Sequence, residues 1–158
     1  MLKELVEQGF CSFIDHAQSW QDAIRISCRP LIEKGIVEES YADELIDNVS
    51  EYGPYIVLMP GFAMPHTMQG AKGAKGTGMS FLKVKEPVVF DPSDRDKDAV
   101  VFFTLAATDS DAHIENIRRL CNLISDENLF SALLNAACPQ DLLAIDEKYR
   151  AINVENNE

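Results

Sequence analysis

The chain has 158 residues, 46% hydrophobic and 25% charged, an ordinary globular composition with material for a full core. Its formal net charge of -12 works against non-specific binding to nucleic acid or to an anionic membrane surface and suits docking to basic protein partners. The charged, amphipathic start Met1-Leu-Lys-Glu-Leu-Val-Glu is unlike a signal peptide, and no apolar run has the length of a bilayer span, so a soluble, cytoplasmic protein without membrane insertion is expected.

Residues 2–8 read as a short helix, and residues 10–14 as a strand introduced by Gly9. Ser19-Trp-Gln-Asp22 carries a helix-start signal, an N-cap serine with an acidic residue three positions on. Ala23, Ile26, Cys28, Leu31 and Ile32 give that helix an apolar stripe, Pro30 is expected to kink it, and Gly35 to end it. Ser40-Tyr-Ala-Asp43 repeats the start signal, with Leu45, Ile46 and Val49 as the buried face and Gly53-Pro54 as the stop. Three strands are expected next, over residues 55–59, 78–84 and 99–106, separated by turns at Pro87 and at Asp91-Pro92-Ser-Asp. The last is almost wholly apolar, the pattern of a central strand covered on both faces.

From Asp111 the chain reads as helical, with Ile114, Ile117, Leu120, Cys121 and Ile124 at three- and four-residue spacing. Asp126 caps another helix, with Leu129, Leu133 and Leu134 inside, and Pro139 fits the first turn of a last helix ending near Tyr149. The expected fold is one α/β domain over residues 1–150, a mixed sheet with helices on both faces, and residues 151–158 a frayed polar tail. Cys11, Cys28, Cys121 and Cys138 are scattered with no C-x-x-C pair, as for reduced thiols used as small hydrophobes.

Few residues carry a chemical signal. His66 directly follows Pro65, five residues after Pro60-Gly61 closes an apolar stretch. Pro65 has a fixed φ and no N–H, and it pushes Met64 toward an extended conformation. His66 is thus expected on a stiff, non-helical loop at the end of a buried strand, where an imidazole is presented as a nucleophile; the alternative is a loop histidine that merely packs. His113 lies just past the expected central strand, in the first turn of a helix. A helix N-terminus disfavours imidazolium and offers N–H groups to an anion, so the two histidines are positioned to share one anionic group; the alternative is a histidine satisfied at the edge of the core.

The segment Gly70-Ala-Lys-Gly73-Ala-Lys-Gly76-Thr-Gly78 looks like a nucleotide loop but inverts the Gly-Lys-Thr order and leads into a strand. It reads instead as a flexible flap beside His66, with Lys72 and Lys75 able to offset the acidic surface. His16, His66 and His113 are the only histidines and match no helical ligand pair, so no metal is expected. Asp109, Asp111 and Asp126 read as helix caps.

The run Gly53-Pro-Tyr-Ile-Val-Leu-Met-Pro-Gly-Phe-Ala-Met-Pro-His66 resembles the active-site segment of IIA proteins of the bacterial sugar phosphotransferase system (PTS), in the mannitol/fructose-type class and nearest its ascorbate branch. The resemblance continues through Lys75-Gly-Thr-Gly-Met-Ser-Phe-Leu-Lys-Val-Lys-Glu-Pro-Val-Val-Phe90 and Ala107-Thr-Asp-Ser-Asp-Ala-His113, and it covers essentially the whole chain. It implies a mannitol-type IIA fold with His66 as phosphoacceptor, taking a phosphoryl group from the phosphohistidine of HPr. The group would pass to a cysteine of a cognate IIB protein, which serves a membrane IIC, and His113 would support it. No cofactor is implied. Mannitol-type members carry an Arg-Glu pair before the active histidine. Here Ser50-Glu51 keeps only the glutamate, so Glu51 is a candidate supporting residue, and Lys72, Arg118 and Arg119 are candidates for the missing positive charge. The rival reading is a regulatory IIA-like module that signals through its phosphorylation state without driving transport.

Overall fold

The computed structural model describes residues 1–67 and 71–155. In chain order the elements are α1 (Leu2–Glu7), β1 (Cys11–Ile14), α2 (Trp20–Glu33), α3 (Ser40–Tyr52), β2 (Val57–Met59), β3 (Gly61–Ala63), β4 (Gly78–Val88), a 3-10 turn (Arg95–Lys97), β5 (Ala99–Ala106), α4 (Ser110–Ser125), α5 (Glu127–Leu134) and α6 (Pro139–Glu155). The five strands form one mixed sheet in the order β1-β4-β5-β3-β2. The pairs β1–β4 and β3–β5 are parallel, and β4–β5 and β2–β3 antiparallel.

Both faces of the sheet are covered, as expected. Ser80 lies opposite Thr104, and one residue along, Phe81 lies opposite Phe103; side chains alternate, so these pairs face opposite ways. On the first face the Thr104 hydroxyl donates to Ser27 Oγ at 2.7 Å and the Ser80 hydroxyl to the Ser27 carbonyl at 2.5 Å, which joins α2 to the sheet. On the second, Phe62 packs between Phe103 and Phe130 of α5, with ring centroids 5.9 and 6.0 Å apart. Strand β5 is buried along nearly its whole length, because apolar side chains on both faces leave it no place except the interior.

Several elements depart from the sequence reading. The segment expected as one strand over residues 55–59 is the outer arm of a hairpin. Pro60-Gly61 is its turn, and β3 is its inner arm. Gly61 has φ +87, a conformation that calls for glycine, and a Cβ there would press on the end of the Leu134 side chain at 3.0 Å. The strand that leads to His66 is therefore β3, and β2 is an edge strand with Leu58 46% exposed. Pro87 lies inside β4 where a turn was expected. It is exposed and falls where the β4–β5 register shifts, between Lys83 and Val88, a location that tolerates a missing N–H.

Helix α2 runs unbroken through Pro30 and buries Ile24 and Ser27, while Ile26 is only half-buried. The N-cap of α3 is Glu39, without a side-chain cap, and Ser40 is already helical; Ile46 is half-buried. In α4 the buried residues are Leu120 and Leu123, and Ile114 and Cys121 are exposed. Leu134 is half-buried against the core. Helix α6 extends past Tyr149 to Glu155, so residues 151–155 of the expected tail are helical; residues 156–158 lie outside the described ones. All four cysteines are free, and burial pushes the Cys28 thiol up to about 12. Among the described residues no helix is long and apolar enough to cross a membrane.

Candidate active site

Strands β3 and β5 run parallel side by side, so their C-terminal ends open at the same edge of the sheet, the usual place for a site in an α/β fold. His66 follows the end of β3, and His113 follows the end of β5. The pairing continues one step past β3, because the Leu105 N–H donates to the Pro65 carbonyl at 2.9 Å. The residue before His66 is thereby fixed to the central strand.

The His66 imidazole is half-buried. Its Nδ1 lies 2.5 Å from the Met64 carbonyl. A carbonyl only accepts, so the ring proton belongs on Nδ1, and Nε2 keeps its lone pair. The Met64 N–H in turn donates to the Ile56 carbonyl at 2.8 Å, so the group that sets the tautomer is part of the hairpin ladder. Tyr55, across that hairpin, donates its hydroxyl to the His66 carbonyl. Its ring stands perpendicular to the imidazole, centroids 5.3 Å apart.

His113 is held through its backbone. Asp109 caps α4 by accepting from the Ala112 N–H at 3.0 Å, and the His113 N–H donates to the Asp109 carbonyl at 3.0 Å. Thr77 holds this turn from the other side: its hydroxyl oxygen accepts from the Thr108 and Asp109 N–H groups, both at 2.9 Å. The His113 Nδ1 is buried and without a hydrogen-bond partner among the described residues. Burial, and then the repulsion that two protonated rings, His66 and His113, would exert on each other, lower the His113 pKa. The two rings are therefore electrostatic neighbours, and His113 is neutral at pH 7.

The other candidates stand apart. Glu51 and Lys72 are exposed, and among the described residues neither is hydrogen-bonded or ion-paired to His66 or His113. Arg118 and Arg119 both engage Glu115, at 2.7 and 3.0 Å, and hold its carboxyl down to about 2; they are committed to that carboxylate. Lys75 pairs with Glu38 at 3.2 Å. The expected flexible flap is, from Gly73 onward, a docked segment. Glu44 accepts from the Gly73 N–H at 3.1 Å, the Gly73 carbonyl accepts from Glu38, and the Lys75 and Gly76 N–H groups donate to the Ile36 carbonyl. Gly73 comes so near α3 that a Cβ would meet the Tyr41 nitrogen at 3.0 Å. The Gly70 end of that motif lies outside the described residues.

Asp109 and Asp126 cap helices as expected, whereas Asp111 sits inside the first turn of α4. Sequence reasoning missed Tyr55, the Met64 carbonyl and Thr77. Reading Pro60-Gly61 as a hairpin turn would have placed Tyr55 opposite His66; Thr77 carried no local signal.

This arrangement presents His66 Nε2 at the same edge of the sheet as the neutral His113 imidazole. Comparison with known proteins gives the family. The sequence matches the family described as "Phosphoenolpyruvate-dependent sugar phosphotransferase system, EIIA 2" over residues 5–148. It is 35% identical over 136 residues to the ascorbate-specific PTS system EIIA component of Escherichia coli (strain K12), with 85% of this chain and 87% of that relative covered. The protein of the same name from Salmonella choleraesuis (strain SC-B67) is 35% identical over 148 residues, 93% of this chain and 95% of its own. The solution structure of the mannitol-specific cryptic phosphotransferase enzyme IIA CmtB from Escherichia coli superposes with a TM-score of 0.78 at 34% identity, covering 91% of this chain and 96% of that one. The mannitol-type IIA fold expected from the sequence is the fold observed, and the chain belongs to the EIIA 2 family of the phosphoenolpyruvate-dependent sugar phosphotransferase system.

Proposed function

We propose that this chain is a cytoplasmic phosphocarrier that takes a phosphoryl group from phospho-HPr on His66 Nε2 and passes it to a cysteine of a cognate IIB protein. The observation that carries this reading is the contact of Nδ1 with the Met64 carbonyl at 2.5 Å, which leaves Nε2 as the nucleophile. In the first step the Nε2 lone pair forms a bond to phosphorus as the P–N bond of the donor phosphohistidine breaks, and the donor ring keeps that electron pair. In the second, a IIB thiolate forms a P–S bond and the electron pair of the P–N bond returns to Nε2. The donor is already activated, so catalysis reduces to in-line positioning and dispersal of charge on the phosphoryl oxygens.

His113 supports the group in this reading. A neutral imidazole can donate one N–H to a phosphoryl oxygen, and its placement in the first turn of α4 adds the favourable end of a helix dipole. Ile114, beside His113, is 63% exposed. An apolar side chain left in water next to the reacting group is a natural docking contact for the carriers. The net charge of -12 favours encounter with basic carriers. Membrane IIC is reached only through IIB.

We infer that the sugar served is ascorbate, on the strength of the ascorbate-specific relatives. This chain never touches the sugar; specificity lies in the IIB surface it docks. The test is incubation with enzyme I, HPr and phosphoenolpyruvate, mapping of the phosphorylated residue, and transfer to purified ascorbate-, mannitol-, fructose- and galactitol-type IIB proteins. A base-stable, acid-labile adduct on His66 that moves to the ascorbate-type IIB is expected. An adduct elsewhere refutes the mechanism, and preference for another IIB refutes only the sugar assignment.

A further inference from the structure

The proposed phosphoacceptor ring is braced by an aromatic residue to which no role has been assigned. Tyr55 follows Gly53-Pro54 at the mouth of the β2–β3 hairpin, where the Val57 N–H donates to the Pro54 carbonyl at 3.1 Å. It is half-buried. Its ring meets the His66 imidazole edge-on, and its hydroxyl donates to the carbonyl of the same residue. His66 is thus fixed at Nδ1 by Met64, on its ring by the Tyr55 ring, and on its backbone by the Tyr55 hydroxyl. Burial pushes the phenol up to about 12, so it remains a donor throughout the neutral range.

A nucleophile free to rotate about its side-chain bonds spends most of its time aimed away from the line of transfer. We propose that Tyr55 is a positioning residue for phosphoryl transfer: it holds the His66 peptide and ring so that Nε2 faces the incoming phosphorus. The inference rests on His66 being the phosphoacceptor. It assigns Tyr55 no contact with the phosphoryl group and no proton transfer.

The experiment compares wild type, Tyr55→Phe and His66→Ala in single-turnover transfer from phospho-HPr. Tyr55→Phe is expected to melt within about 5 °C of wild type. Its saturating rate should fall roughly tenfold, with half-saturation by phospho-HPr unchanged. Nitrogen-15 relaxation of the His66 ring should show more motion in Tyr55→Phe than in wild type, with the Nδ1–H tautomer kept by Met64 in both, a change that a merely structural role would not produce. A wild-type rate in Tyr55→Phe, or a change confined to half-saturation, overturns the proposal. Phosphate acceptance by His66→Ala would refute the His66 reading instead. Should Tyr55→Phe not fold, wild type decides: a Tyr55 phenol that titrates at the ordinary value of about 10, with a freely exchanging hydroxyl, overturns the brace.

Discussion

His66 and His113 leave the same edge of the sheet from neighbouring parallel strands and are held in opposite ways. The His66 side chain is fixed by Met64 and Tyr55, and its tautomer is set by a carbonyl. The His113 backbone is fixed by Asp109 and Thr77, while its Nδ1 has no partner among the described residues. The difference fits a division of labour. A nucleophile gains from a single orientation, because transfer needs alignment. A supporting group must meet a phosphoryl group that arrives and leaves, so its ring is better left unpaired at rest. The cost is a partly desolvated imidazole with a lowered pKa.

That division can be broken at each point. His66→Ala removes the proposed nucleophile and is expected to abolish phosphorylation by phospho-HPr, as read by radiolabel incorporation; incorporation at the wild-type rate would show that the locked ring is not the acceptor. His113→Ala should slow transfer to IIB by a barrier increase on the order of 2–4 kcal/mol, the usual loss for a preorganised donor. Rapid-quench kinetics that match wild type would reduce His113 to a packing residue.

Thr77→Val replaces the hydroxyl that takes two backbone N–H groups by a methyl group. A loss of about 1–3 kcal/mol in stability is expected, with slower onward transfer, since His113 hangs from the same turn. Chemical denaturation measures the first and the transfer assay the second. Ile114→Asp should leave stability within about 0.5 kcal/mol. It should also weaken carrier docking by roughly 1 kcal/mol, seen as about a fivefold rise in half-saturation by phospho-HPr. No change there would move the docking surface away from His113.

The smallest effect concerns pH. The folded-state pKa of His113 lies below the ordinary value of 6.5, so the unfolded chain binds more protons between those two values. His113 thus contributes stability that is fully present above about 6.5 and is lost as pH falls through the folded pKa. Thermal melts from pH 7 downward should show a shallower decline in His113→Gln than in wild type. Parallel curves would mean that the ring is not desolvated.

Much of this molecule is legible locally. The wholly apolar run of β5 announced a central strand, and Ser19 with Asp22 announced the start of α2; the Ser19 hydroxyl accepts from the Asp22 N–H at 3.1 Å. Pro65-His66 and the helix start before His113 named the two histidines of the candidate site from neighbours within a few residues. Other features resisted the same reading. Ser40-Asp43 has the pattern of a cap, yet the chain turns into α3 one residue earlier, at Glu39. Ile114 fits an apolar period and is exposed, because helical spacing selects a stripe without saying which stripe meets the sheet. Three-residue strands such as β2 and β3 are too short to show any period.

The sequence by itself determined the helices, the buried centre of the sheet and the two imidazoles, since those follow from side-chain period, proline geometry and capping chemistry between near neighbours. Tertiary structure alone decided that β3 lies parallel to β5, which brings the two histidines to one edge. It also placed Tyr55 against His66 and Thr77 under the α4 turn. Most of those contacts join residues distant in the chain. Local preference between near neighbours carries no information about such contacts, whereas the Glu115 pairs with Arg118 and Arg119, three and four residues apart on one helix, are readable from spacing.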